Sequence, residues 1–79
     1  MNAQIERQIG KNIRNLREKA KMTQDQLAAK LQVEGCDITR SALAKIEVGQ
    51  RHLYPDEIIL ISKILNIGFN EILKTDIKK

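Results

Sequence analysis

Residues 23–49 read Thr-Gln-Asp-Gln-Leu-Ala-Ala-Lys-Leu-Gln-Val-Glu-Gly-Cys-Asp-Ile-Thr-Arg-Ser-Ala-Leu-Ala-Lys-Ile-Glu-Val-Gly. This stretch holds two short helical patterns, each with its own start and stop. Thr23 offers a hydroxyl to the unpaired amides of a following turn, and Gln26, three residues on, completes a capping-box pattern. Leu27, Ala28 and Leu31 form a narrow apolar seam, and Gly35 is a C-terminal stop. The spacing predicts a helix over residues 24–33. Thr39 begins the same sequence of signals again, and Gly49 ends it, predicting a helix over 40–48. In that second helix Leu43 and Ile46 share one face. Arg40, Ser41, Ala44 and Lys45 share the other.

Upstream, Ile5, Ile9, Ile13 and Leu16 recur at helical spacing, with Ala20 completing the stripe. They predict an amphipathic helix over about residues 3–20. Downstream, Pro55 suits the first turn of a helix, and Asp56 and Glu57 suit its positive end. Ile58, Ile61 and Leu65 continue that helix to about residue 66. A last helix over about 69–74 carries Phe69, Ile72 and Leu73, and Lys78-Lys79 are expected to fray. The whole predicts an all-α, five-helix domain over 1–79, with its core in about residues 5–74.

Composition bounds the function. In 79 residues, 42% are hydrophobic but only 3% aromatic, so the core must be aliphatic. The formal charge is +4, and all of the excess lies in residues 1–52, with ten Lys/Arg against six Asp/Glu. A basic half points to a polyanionic partner. The single cysteine, Cys36, cannot form an internal disulfide, which fits a reducing cytoplasm. No signal peptide or membrane span is expected, and helix one lacks the aromatic anchors of a membrane-surface helix. One His, one Cys and no Gly-rich phosphate loop argue against an enzyme, and no cofactor, metal or small-molecule ligand is implied.

Two short helices joined by a turn form a helix-turn-helix unit. Ala28 supplies the small residue at the crossing, and the Arg40/Ser41/Ala44/Lys45 face is small and basic enough to enter a major groove. Further residues carry a family resemblance. They are Ile13–Glu18, then Met22–Ala28, then Arg40–Glu47 with Gly49 and Arg51, then Ile64–Ile67 and Asn70–Leu73. Together they resemble the Cro/phage-repressor, or XRE, family of helix-turn-helix regulators. The resemblance covers about residues 8–74 and implies a lambda-repressor-like fold acting on a double-stranded DNA operator, most often as a repressor.

Carried over residue by residue, the resemblance implies base reading by Arg40, Ser41 and Lys45, with Ala44 able to meet a thymine methyl. It implies phosphate contacts from Thr23 and Gln24 at the start of the second helix and from Arg51. It implies a structural ion pair between Arg17 and Glu47. His52 reads as a surface residue. One departure stands out: Gln32–Cys36 looks like an insertion after Leu31, with Ile38 taking the apolar turn position and Cys36 filling the turn. Helix four carries more apolar residues than one face needs, since Leu60, Ile64 and Ile67 lie off the main stripe. They belong either to a central helix wrapped by its neighbours or to a homodimer surface formed by helices four and five. A dimer would require a palindromic operator. The alternative function is an antitoxin or other protein-interaction module that keeps a helix-turn-helix.

Overall fold

Helices begin and end in this chain where the sequence supplies caps. The computed structural model describes residues 3–75, so Lys78 and Lys79, expected to fray, lie outside the described residues. The elements are α1 (Ala3–Lys19), α2 (Gln24–Val33), α3 (Arg40–Glu47), α4 (Pro55–Leu65) and α5 (Phe69–Leu73). Thr23 accepts from the Gln26 amide at 3.1 Å, and the Gln26 side chain accepts from the Thr23 amide at 2.8 Å. Thr39 caps α3 in the same way, accepting from the Ala42 amide at 3.1 Å.

Four helices end alike, with paired backbone bonds closing over a left-handed residue. After α2, the Gly35 amide reaches Gln32 O and the Cys36 amide reaches Leu31 O. After α3, Gly49 reaches Ile46 O and Gln50 reaches Lys45 O. Gly35 and Gly49 have φ of 83° and 78°, which glycine adopts without a Cβ penalty. At the ends of α1 and α4 the same geometry falls on Lys21 (φ 60°) and Asn66 (φ 56°). This termination explains the insertion after Leu31. Residues 32–36 form the last turn of α2 and its cap, and Cys36 occupies the position that packs back on Leu31. Burial first, then the nearby Glu57 and Asp56 charges, push the Cys36 thiol above its ordinary pKa.

The core takes fully buried aliphatics from every helix and from the α2–α3 connection: Ile13, Leu27, Leu31, Ile38, Leu43, Ile46, Ile61 and Ile72. Each contributes about 1.5–3 kcal/mol relative to exposure. Ala20, expected to complete the α1 stripe, is exposed, because α1 ends at Lys19 and the chain turns away there. Met22 packs on the core instead.

Two contacts join distant parts of the chain. Gly10 lies under the C-terminal turn of α3, where an added Cβ would overlap the Ile46 carbonyl oxygen and come within 2.8 Å of the Glu47 carbonyl oxygen. Asn12 Nδ2 donates to Ile72 O at 2.9 Å and to Lys74 O at 2.7 Å, fixing α5 on α1, while Gln8 Nε2 donates to Asn12 Oδ1 at 3.0 Å. Those bonds satisfy carbonyls that a helix C-terminus leaves free.

Leu60, Ile64 and Ile67 are half-buried against the core. The exposed apolar residues of α4 and α5 are Ile59, Phe69 and Leu73.

Candidate nucleic-acid interface

The inner side of α3 is settled by Leu43 and Ile46, which are 0% and 2% exposed. Helical spacing then forces Arg40, Ser41 and Lys45 to solvent, and all three are exposed, with Ala44 half-buried. This face has two rows. Ser41 and Lys45 form the outermost. Arg40 and Ala44 border a polar cleft of about 640 Å³ between α3, the start of α2 and the second half of α1. Thr23, Gln24 and Asp25 line the α2 side of the cleft, and Arg14 lines the α1 side.

The base of the cleft is held by charge. Arg17 Nε donates to Glu47 Oε2 at 2.8 Å, and a terminal Arg17 nitrogen donates to Glu47 Oε1 at 3.1 Å. Both side chains are buried. The third Arg17 nitrogen donates to Met22 O at 2.8 Å, so one side chain ties α1, the α1–α2 connection and α3. The Glu47 hydrogen bond holds the Arg17 guanidinium above its ordinary pKa, against the opposing effect of burial. Gln24 joins this group, with Nε2 donating to Glu47 Oε1 at 3.0 Å. A carboxamide has two N–H donors, so one is spent on Glu47. Among the described residues no buried side-chain polar atom lacks a hydrogen-bond partner.

Arg51 makes its bonds within the protein at the start of α4. Its terminal nitrogens donate to both Glu57 oxygens at 3.0 and 3.1 Å and to His52 O at 2.9 Å, and the guanidinium lies 5.9 Å from the Tyr54 ring centroid. Glu57 also accepts from the Tyr54 amide at 3.0 Å, closing the start of α4. Burial pushes the Glu57 carboxyl up, but the Arg51 and Tyr54 hydrogen bonds and the Arg51 charge outweigh it, leaving it below the usual carboxylate range. Arg51 is therefore a clamp on α4, with its charge neutralised locally. His52 is on the surface and its Nδ1 lies 2.7 Å from Glu6 Oε1.

Sequence reading missed four residues that shape this region. Gly10 had a signal, since glycine inside a helical pattern often marks a close approach. Asn12 had none, because the carbonyls it donates to are 60 or more positions away. Arg14 and Asp25 carry no more sequence signal than any exposed charge.

A helix-turn-helix built from α2 and α3, with a basic outer face beside a helix N-terminus that favours anions, defines a DNA-binding regulator in general. Residues 13–72 match the family model described as Helix-turn-helix. The chain belongs to that family, the Cro/C1-type or XRE proteins, and its fold is the lambda-repressor-like one. The family is one of DNA-binding regulators rather than of enzymes. No curated protein and no solved structure matches the chain significantly. Among the described residues no helix is long and apolar enough to cross a membrane, and no group of three His, Cys, Asp or Glu is placed to hold a metal.

Proposed function

We propose that this protein is a cytoplasmic repressor that binds a short operator in double-stranded DNA, with α3 in the major groove. Arg40 and Lys45 read guanine O6/N7, Ser41 accepts more than one base edge, and Ala44 meets a thymine methyl or makes room. Thr23 and the free N–H of Gln24 contact phosphate at the start of α2, where the helix dipole and the first amides favour an anion. Arg51, held by Glu57 with 28% of its side chain exposed, adds a phosphate contact from the loop after α3. The observation that supports this reading is the shared cleft. It brings Thr23 and Gln24 from α2 together with Arg40 and Ala44 from α3.

Two copies pair through α4 and α5, burying Ile59, Phe69 and Leu73, and set two α3 helices about 34 Å apart on a palindromic site. Those same exposed side chains support the second reading, a protein-interaction module with a separate protein partner.

The test is selection of bound duplexes from a random pool, with the stoichiometry of the complex measured alongside. The proposal expects a palindromic consensus, two chains per duplex, and affinity falling linearly with the logarithm of salt concentration. A pool that yields no consensus would remove the sequence-reading assignment and leave the protein-interaction reading.

A further inference from the structure

Every arginine lining the cleft, like Arg51 outside it, has a carboxylate partner, but the partnerships differ in strength. Arg17 is buried and held at two points by Glu47. Arg51 is held at two points by Glu57, with 28% of its side chain exposed. Arg14 lies along α1 with Nε 3.5 Å from Glu18. Arg40, at the first position of α3, has Nε 3.6 Å from Asp25 Oδ1 across the α2–α3 gap. That distance exceeds a charge-assisted hydrogen bond of about 2.7–2.9 Å. The two side chains are 66% and 73% exposed. Exposed pairs of this kind bind weakly, so this one can open for a better partner.

We propose that Asp25 is a specificity-determining residue. Its carboxylate holds Arg40 near the groove-facing start of α3 and repels the backbone phosphates that would otherwise recruit that arginine. The inference rests on the DNA-reading assignment above.

The reason lies in where the two residues stand. Arg40 has a long, mostly free side chain at the edge of the groove-entering face. Unrestrained, it can bind any phosphate that lines the groove, and such contacts carry no sequence information. Asp25 follows Gln24 directly and lines the same cleft as Thr23 and Gln24. A phosphate drawn to the start of α2 meets its negative charge there, and one approaching Arg40 must displace it. A phosphate can also take the guanidinium fork, but it must do so against the negative charge of Asp25. A guanine edge offers two acceptors in the fork geometry of a guanidinium, and it carries no net charge for Asp25 to repel. Asp25 therefore penalises random duplex more than operator.

The experiment compares Asp25→Asn with the natural chain, using the selected operator and a scrambled duplex of equal length and base composition. An Asp37→Asn variant controls for the loss of one exposed negative charge near α3 that pairs with no arginine of the cleft. Asp25→Asn is expected to raise affinity for scrambled duplex by about fivefold, and to steepen its log–log salt slope by about 0.9 for one added phosphate contact. Affinity for operator should rise less than twofold, to order of magnitude, so the operator-to-scrambled ratio falls. Asp37→Asn should leave that ratio unchanged. In an Arg40→Ala background, adding Asp25→Asn should also leave it unchanged, because the effect runs through Arg40. A ratio that stays the same or rises in Asp25→Asn overturns the inference while leaving the DNA-reading assignment intact. A natural chain that does not distinguish the two duplexes overturns both.

Discussion

Gly10 and Ile46 meet with no room between them for a single added carbon. The α1 helix crosses the end of α3 at Gly10, and a methyl group there would overlap the Ile46 carbonyl oxygen. The obstacle is backbone, which cannot rotate away as a flexible side chain could. Gly10→Ala gains about 1 kcal/mol of helix propensity. Overpacking outweighs it, so the variant should lose about 2 kcal/mol or more in denaturant unfolding. Unchanged stability would mean that α1 and α3 lie too far apart to touch at Gly10.

The Arg17–Glu47 pair should respond asymmetrically. Removing one partner leaves a buried charge uncompensated, so Arg17→Met alone should cost about 3–5 kcal/mol. Adding Glu47→Leu to it should recover most of that loss, since an apolar pair can replace a buried ion pair. Gln24 then loses its acceptor. A double variant that folds normally yet binds DNA more weakly would locate that effect at Gln24. Equal destabilisation in the single and double variants would contradict the burial argument.

Lys21 holds a left-handed conformation at the end of α1, on an exposed side chain. A non-glycine residue there costs about 1–2 kcal/mol, partly offset by the greater freedom of glycine in the unfolded chain. Lys21→Gly should therefore stabilise the protein by about 0.5–1 kcal/mol in thermal or denaturant unfolding. A destabilised Lys21→Gly would show that the lysine side chain makes an interaction outweighing its backbone strain.

Acid should loosen the start of α4. The Glu57 carboxyl is held below its ordinary value, so its contribution is fully present above about pH 4.3 and is lost as pH falls through the folded value. Glu57→Gln should be less stable than the natural chain at pH 7, by about 1–3 kcal/mol for a clamp hydrogen-bonded to a charged group. The gap should narrow towards pH 3. Parallel stability curves across that range would show that ionised Glu57 contributes nothing.

On the DNA side, Arg40→Ala and Lys45→Ala each remove a side chain assigned to a guanine edge. Each should reduce discrimination between operator and mismatched duplex by about 1–3 kcal/mol. Competition binding at fixed salt measures this. If the double variant selects the same consensus with equal discrimination, α3 does not read bases through those residues.

Much of this protein was determined by short stretches of its sequence. Thr23 and Thr39 start helices because their hydroxyls reach an amide three residues away. Gly35 and Gly49 stop them because only the next few residues are needed to close the end. The inward set of α3 follows from a period of 3.6 residues, and so do the exposed Arg40, Ser41 and Lys45. These are interactions within one or two turns, so a linear pattern contains them.

Tertiary structure decided whatever depends on who the distant neighbour is. Glu57 pairs with Arg51, so an arginine in the loop after α3 also closes the start of α4. Gly10 and Asn12 matter only because α3 and α5 come to rest against α1. On α4 the wheel marked surplus apolar residues, but the packing of α2 and α5 determined that Leu60 and Ile64 turn inward and Ile59 does not. Asp25 meets Arg40 across 15 positions only once α2 and α3 are crossed. Periodicity fixes which side chains share a face, whereas the partner each face meets is set by how five short helices fill one small volume.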